Sequence, residues 1–194
     1  MTSDIAPIRA DHSLFYTDEH HRSFSELSSF ELSAAKGTIL SFTEAMKVGG
    51  SPKVFLEHGP ADGSVRSLGC CDHAHIHLVP LGIASGLETE FHAALETEVQ
   101  KCISANELSP HKTIAFDNLS GVNGNNYIWF SFDLTELRIF FIKRDSRQLL
   151  RRIVAGALGE SGFETWRLHD QAAAISTQLS LHSTANRLNR GNSF

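Results

Sequence analysis

The chain has 194 residues, of which 41% are hydrophobic and 20% charged, and a formal net charge of −5. A length of this order fits one domain with a sizeable core, and the composition is that of an ordinary globular protein. The acidic balance argues against a general nucleic-acid-binding surface, and no run of about 18 apolar residues marks a membrane-spanning helix.

The opening Met1-Thr2-Ser3-Asp4-Ile5-Ala6-Pro7 lacks the basic and apolar segments of a signal peptide. Three cysteines, two of them adjacent (Cys70 and Cys71), make no disulfide framework. Together these features lead us to expect a reducing cytoplasm. The run from His12 to Tyr16 predicts a strand, followed by a polar turn from Thr17 to His21. Between Ser25 and Lys47, apolar residues recur at three- and four-residue steps, the spacing of an amphipathic helix, with Gly37 as a weak point. Gly49-Gly50-Ser51-Pro52 stops it. Lys53 to Glu57 predicts a second strand, and Gly59 to Ser64 a loop.

The next segment, Gly69-Cys70-Cys71-Asp72-His73-Ala74-His75-Ile76-His77-Leu78-Val79-Pro80, carries the most information. Strand side chains alternate between faces. His73, His75 and His77 would therefore share one face, with Ala74, Ile76 and Leu78 on the other. A strand that gives a face to three imidazoles is not built for apolar burial. Further on, Leu87 to Cys102 predicts a helix and Asn118 to Asn126 a Gly/Asn-rich loop. Tyr127 to Phe132 and Leu137 to Ile142 predict a hairpin. Ser146 is a candidate cap for a helix from Arg147 to Leu158, ended by Gly159. Interspersed helices and hairpins indicate an α+β class with an antiparallel sheet.

The motif His73-Ala74-His75-Ile76-His77-Leu78-Val79 resembles the signature of the histidine-triad (HIT) superfamily, His-φ-His-φ-His-φ-φ with φ apolar. Phe55-Leu56-Glu57-His58-Gly59 followed by Cys71-Asp72-His73-Ala74-His75 is similar to a bacterial branch that reads FEHG before DHAHLHLVP. Asp11-His12-Ser13-Leu14-Phe15-Tyr16-Thr17-Asp18-Glu19-His20 is similar to the family's P-G-H-L-L-hydrophobic-P-K-x-H strand, although Ala10-Asp11 and Thr17-Asp18 replace its Pro-Gly and Pro-Lys. Leu149-Leu150-Arg151-Arg152 and Trp166-Arg167 are similar to the branch's C-terminal part. The likeness implies a single HIT-like domain over residues 1–168, with N-terminal strands shortened, and a tail at 169–194 that is loosely helical or disordered.

The resemblance further implies an enzyme, a nucleotide hydrolase or nucleotidyl transferase. It would act on a nucleoside phosphoramidate or dinucleoside polyphosphate. His75 would attack the α-phosphorus to form a nucleotidyl-histidine, with His77 and His73 stabilising or protonating. Neutral imidazole suits this role because its pKa lies near neutrality. His20 falls where the family has a fourth histidine, with His21 beside it, and Glu57 falls where relatives place an amide near the nucleotide. Backbone N–H groups of Gly69, Cys70 and Cys71 could cradle phosphate oxygens. The partner is then a small nucleotide, with no nucleic acid and no membrane. No cofactor is needed, although Mg²⁺ can accompany a polyphosphate. A homodimer is compatible, using aromatic surface on the Tyr127–Ile142 hairpin. Two other readings stay open. One is a nucleotide-binding or regulatory module that has lost catalysis. The other is a zinc hydrolase whose His-x-His pair is completed by Cys70, Glu57 or His58.

Overall fold

The computed structural model describes residues 1–4, 7–46, 51–60, 73–82, 86–144, 148–160, 175–179 and 181–185. Seven antiparallel strands form one sheet in the order β1-β2-β4-β3-β6-β7-β5. In chain order they are β1 (Thr2–Ser3), β2 (Ser13–Tyr16), β3 (Lys53–Gly59), β4 (His75–Pro80), β5 (Lys112–Ala115), β6 (Tyr127–Ser131) and β7 (Glu136–Phe141). Helices α1 (Ser29–Ala45), α2 (Leu87–Ser104) and α3 (Leu149–Ala157) accompany them. Short 3-10 segments lie at Phe24–Glu26 and Phe116–Val122. The fold is thus α+β, with an antiparallel sheet.

Strand alternation divides the core in two. Phe55, Ile76, Leu78, Trp129 and Ile139 project to one face and pack with Leu32 and Ile39 of α1 and with Phe24 and Phe116 of the 3-10 segments. Val54, Leu56, Val79, Ile128 and Phe130 project to the other and meet Phe91, Leu95 and Val99 of α2 and Ile153 and Val154 of α3. The sheet is therefore a middle layer with helices on both sides.

Helix α1 begins later than its apolar spacing predicts, because Ser28 caps it. The Ser28 hydroxyl accepts from the Glu31 N–H while the Glu31 carboxylate accepts from the Ser28 N–H. This reciprocal capping box fixes the start, and the preceding Phe24–Glu26 forms a separate turn. Gly159, at φ 68°, follows α3 in the left-handed conformation that favours glycine. Part of the Asn118–Asn126 segment read as loop is the 3-10 helix, whose Phe116, Leu119 and Val122 are buried. The expected hairpin forms as β6 and β7, paired from Tyr127↔Phe141 to Phe130↔Arg138. Its aromatic surface does not form an exposed edge: Tyr127, Trp129, Phe130 and Phe140 are all buried. Both strands are interior to the sheet, and β5 occupies the edge instead.

Residues 175–179 and 181–185 are helical, Leu181 is part of the core, and Thr177 Oγ1 accepts from the Asp11 N–H at 2.9 Å. Arg9 reaches the Leu81 carbonyl at 3.0 Å and Glu160 at 3.2 Å. These contacts tie the N-terminal segment to the residue that follows β4 and to the C-terminal part of the chain. Among the described residues, no helix is long and apolar enough to cross a membrane.

Candidate functional site

Strand β4 lies between β2 and β3, with Leu14↔His77 and Tyr16↔His75 on one side and Leu56↔His77 on the other. Ile76 and Leu78 point into the α1-side core, so His75 and His77 face α2 and α3. His73 precedes the strand rather than belonging to it. It is tied in by its ring: His73 Nδ1 lies 2.8 Å from the Thr17 carbonyl and 3.2 Å from that of Glu19. The His20 ring lies against it with centroids 4.4 Å apart and 35° between planes. His20, not His21, is therefore the neighbour of the triad; His21 approaches Glu19 and Glu26.

Hydrogen-bond partners assign the tautomers. His75 Nδ1 is 3.0 Å from the His73 carbonyl. A carbonyl only accepts, so Nδ1 carries the hydrogen and Nε2 the lone pair. His77 is arranged the other way. Behind it lies His12, whose Nδ1 accepts from the Ile8 N–H at 3.1 Å. His12 Nε2 therefore carries the hydrogen and donates to His77 Nδ1, 3.0 Å away. That leaves the hydrogen of neutral His77 on Nε2. The two rings, with centroids 5.0 Å apart, thus present a lone pair from one and an N–H from the other. Such a pair can attack an electrophile and donate to the charge that develops on it.

Burial tunes the back of this array. It pulls the His12 imidazole down to about 3, with Asp4 opposing and His77, Arg151 and His75 adding to the fall. His77 is also lowered, chiefly by burial, while its hydrogen bond with Asp4 works the other way. Neutral rings at pH 7 are what the tautomer assignment requires.

Glu57 does not join the site. Leu56 is the residue that pairs with His77, so Glu57 alternates onto the opposite face. There it is buried and accepts from the Phe24 N–H (2.7 Å), Trp129 Nε1–H (2.7 Å) and Tyr127 hydroxyl (3.0 Å). Its separation from the triad corrects its assignment as a nucleotide contact, and also removes it from any zinc set built on His75 and His77. Gly69, Cys70 and Cys71, expected to cradle phosphate, lie outside the described residues, as does Trp166-Arg167.

His12, Asp4 and Arg151 were not singled out from the sequence as part of the site. Asp4 Oδ2 lies 3.5 Å from both His12 Nε2 and His77 Nδ1, and Arg151 Nη1 lies 3.8 Å from the same oxygen. Among the described residues, Asp4, His12 and His77 are the group that could offer three atoms to one metal ion. The spacings are compatible with three corners of a tetrahedron, but the outer contacts are not. A histidine bound to metal through Nε2 keeps its hydrogen on Nδ1 and donates it to an acceptor. Here Nδ1 of His12 faces a backbone N–H, and a guanidinium already neutralises the carboxylate. The outer contacts of the trio are therefore those of a hydrogen-bonded group.

No family model matches the chain, and no curated protein matches it.

Proposed function

We propose that the protein is a HIT-type nucleotide hydrolase or nucleotidyl transferase acting at the α-phosphate of a nucleoside phosphoramidate or dinucleoside polyphosphate. The observation that carries this reading is the pair of complementary tautomers: a lone pair on His75 Nε2 beside an N–H on His77 Nε2. His75 Nε2 attacks the phosphorus, and the bond to the leaving nitrogen or oxygen breaks with its electron pair. His77, charged by a proton taken from solvent at Nδ1 as the phosphate binds, gives the leaving atom its Nε2 proton. In the second half-reaction water attacks the nucleotidyl-His75, giving a proton to His77 and freeing His75. Replacing one displacement by two easier ones is the gain of a covalent intermediate. His73, backed by the ring of His20 and bonded through its carbonyl to His75 Nδ1, supports the phosphate or orients its neighbours. The chemistry at His75 requires no metal, and Mg²⁺ can accompany a polyphosphate chain as part of the substrate.

The test is intact mass spectrometry of wild type and His75→Ala after incubation with adenosine 5′-phosphoramidate or diadenosine polyphosphates. The samples are denatured in alkali because phosphohistidine-type bonds are acid-labile. A nucleotidyl adduct on wild type and none on the variant is expected. Absence of both adduct and AMP release, with nucleotide still bound, moves the assignment to a binding or regulatory module on the same scaffold.

A further inference from the structure

Behind His77 the structure holds a buried charge pair that the triad chemistry has not yet used. Asp4, between β1 and β2, is only 6% exposed, and its N–H donates to the His12 carbonyl at 3.2 Å. Its Oδ2 is equidistant, at 3.5 Å, from the inner nitrogens of His12 and His77. Arg151 of α3, with a side chain 13% exposed, holds the same oxygen from the far side. Here one oxygen stands 3.5 Å from two nitrogens that have a shorter bond, 3.0 Å, to each other. That arrangement has two settings.

We propose that Asp4, clamped by Arg151, is the positioning counter-ion of His77, accepting the Nδ1 proton whenever that imidazole is charged. The inference rests on the proposed role of His77 as acid and base. In the resting setting His12 Nε2–H donates to His77 Nδ1. When a phosphate arrives, its negative charge favours uptake of a proton from solvent at His77 Nδ1. Two hydrogens would then face each other across 3.0 Å, so both turn to Asp4 Oδ2. His77 gives its Nε2 proton to the leaving atom as the bond to phosphorus breaks, and the electron pair departs with that atom. The Nδ1 proton stays against Asp4 meanwhile. In the second half-reaction His77 Nε2 takes a proton from the water whose oxygen bonds to phosphorus, and His75 leaves. As the product departs His77 returns the solvent proton and the resting setting is restored, so protons balance over the cycle while Asp4 only accepts hydrogen bonds. It supplies the orientation and charge support that a buried carboxylate gives an imidazole in a catalytic triad.

The groups facing His77 are few, which makes the inference testable. They are His75 on its own strand, His12 on β2, Asp4 beyond β1 and Arg151 on α3, with apolar Leu56 opposite on β3. Among the described residues, Asp4 is the anion of this set. The test is imidazole ¹⁵N NMR titration of the full chain without substrate, in wild type and Asp4→Asn. We expect the His77 midpoint to fall by about one pH unit or more when the carboxylate is removed, as for a charge partner within ~4–6 Å. An unmoved midpoint in folded Asp4→Asn overturns the proposal. Should that variant not fold, the ¹³Cγ signal of Asp4 in wild type decides. It is expected to move at the His77 midpoint, and a signal silent across that midpoint overturns the proposal as well. Because no nucleotide is present, a failed titration leaves the proposed enzymatic activity standing, and an inactive protein leaves the titration readable.

Discussion

The two faces of this sheet each bury ionisable groups, and they treat them differently. On the α1 face, Glu57 accepts from three donors fixed by the fold: a backbone N–H, an indole and a phenol. On the α2/α3 face, His75 and His77 are half-buried; Nδ1 of His75 meets a backbone carbonyl and Nδ1 of His77 meets His12, which sets the tautomer of each ring. Permanent, complete satisfaction reads as structure, whereas a directed nitrogen at a partly open surface reads as chemistry.

The faces also oppose one another in pH. Burial raises Glu57 to about 7 against its hydrogen bonds. A carboxyl whose folded pKa lies above its unfolded value contributes fully below the unfolded value, near 4.5, and its contribution is lost as pH rises to 7. His12 is lowered to about 3 and His77 is lowered too. An imidazole buried neutral contributes above its unfolded pKa of about 6.5, and that contribution is lost as pH falls. Between about pH 4.5 and 6.5 the two slopes therefore offset one another.

The sharpest way to separate the faces is to remove one group from each. His75→Ala should lower turnover of a nucleoside phosphoramidate by about 10³-fold or more, equivalent to over 4 kcal/mol of transition-state stabilisation. Because the ring is half-buried, the denaturation midpoint should shift little. A full loss of folding together with activity would erase the distinction drawn between the faces. Gly59→Ala makes the complementary break. A Cβ at Gly59 would overlap the Tyr127 ring, displacing the phenol from Glu57. Overpacking plus a lost buried hydrogen bond should cost about 3 kcal/mol, read by urea denaturation, with kcat of the folded fraction unchanged.

Glu57→Gln sharpens the comparison by pH. Between pH 4.5 and 8 the stability of the variant relative to wild type should rise by about 3 kcal/mol, the linkage value of a shift from 4.5 to about 7. With the Glu57 slope gone, the histidine face should show through, and the variant should lose stability steadily as pH falls below 6.5. Denaturant midpoints measured across that range check both halves. Parallel curves for variant and wild type would mean that Glu57 is ionised in the fold throughout.

Much of this was legible in the sequence, and the omissions have identifiable physical causes. The alternation in β4 announced which residues point inward, because period-2 patterning is local. Helices α1 and α2 and the β6–β7 hairpin were legible for the same reason. Glu57 was misplaced because its face depends on register between strands, and a one-residue shift exchanges faces. The pairing Leu56↔His77 is a relation between distant segments. His12 was visible only as part of a strand, and its bond to His77 spans 65 residues. Asp4 and Arg151 lie still further apart in sequence. Strand β5 escaped because its Lys112 and Thr113 are exposed, so the edge strand lacks a clear apolar face.

The smallest effect concerns how the α1 face is held shut. Ser28 closes a capping box with Glu31, its hydroxyl 3.3 Å from the Glu31 N–H and the returning carboxylate 2.8 Å from the Ser28 N–H. Ser28→Ala removes one half of that exchange and should cost about 1 kcal/mol. Helix α1 supplies Leu32 and Ile39 to the core over the Glu57 face and supplies nothing to the histidines. If the faces are separable, the loss should be uniform in pH between 5 and 8, because the Glu57 donors stay in place when only the helix start frays. A Ser28→Ala variant whose loss grows towards pH 8 would instead tie the cap to the ionisation of Glu57, through the adjacent Phe24 N–H that Glu57 accepts from. Thermal midpoints at the two pH values, compared with kcat at each, distinguish these outcomes.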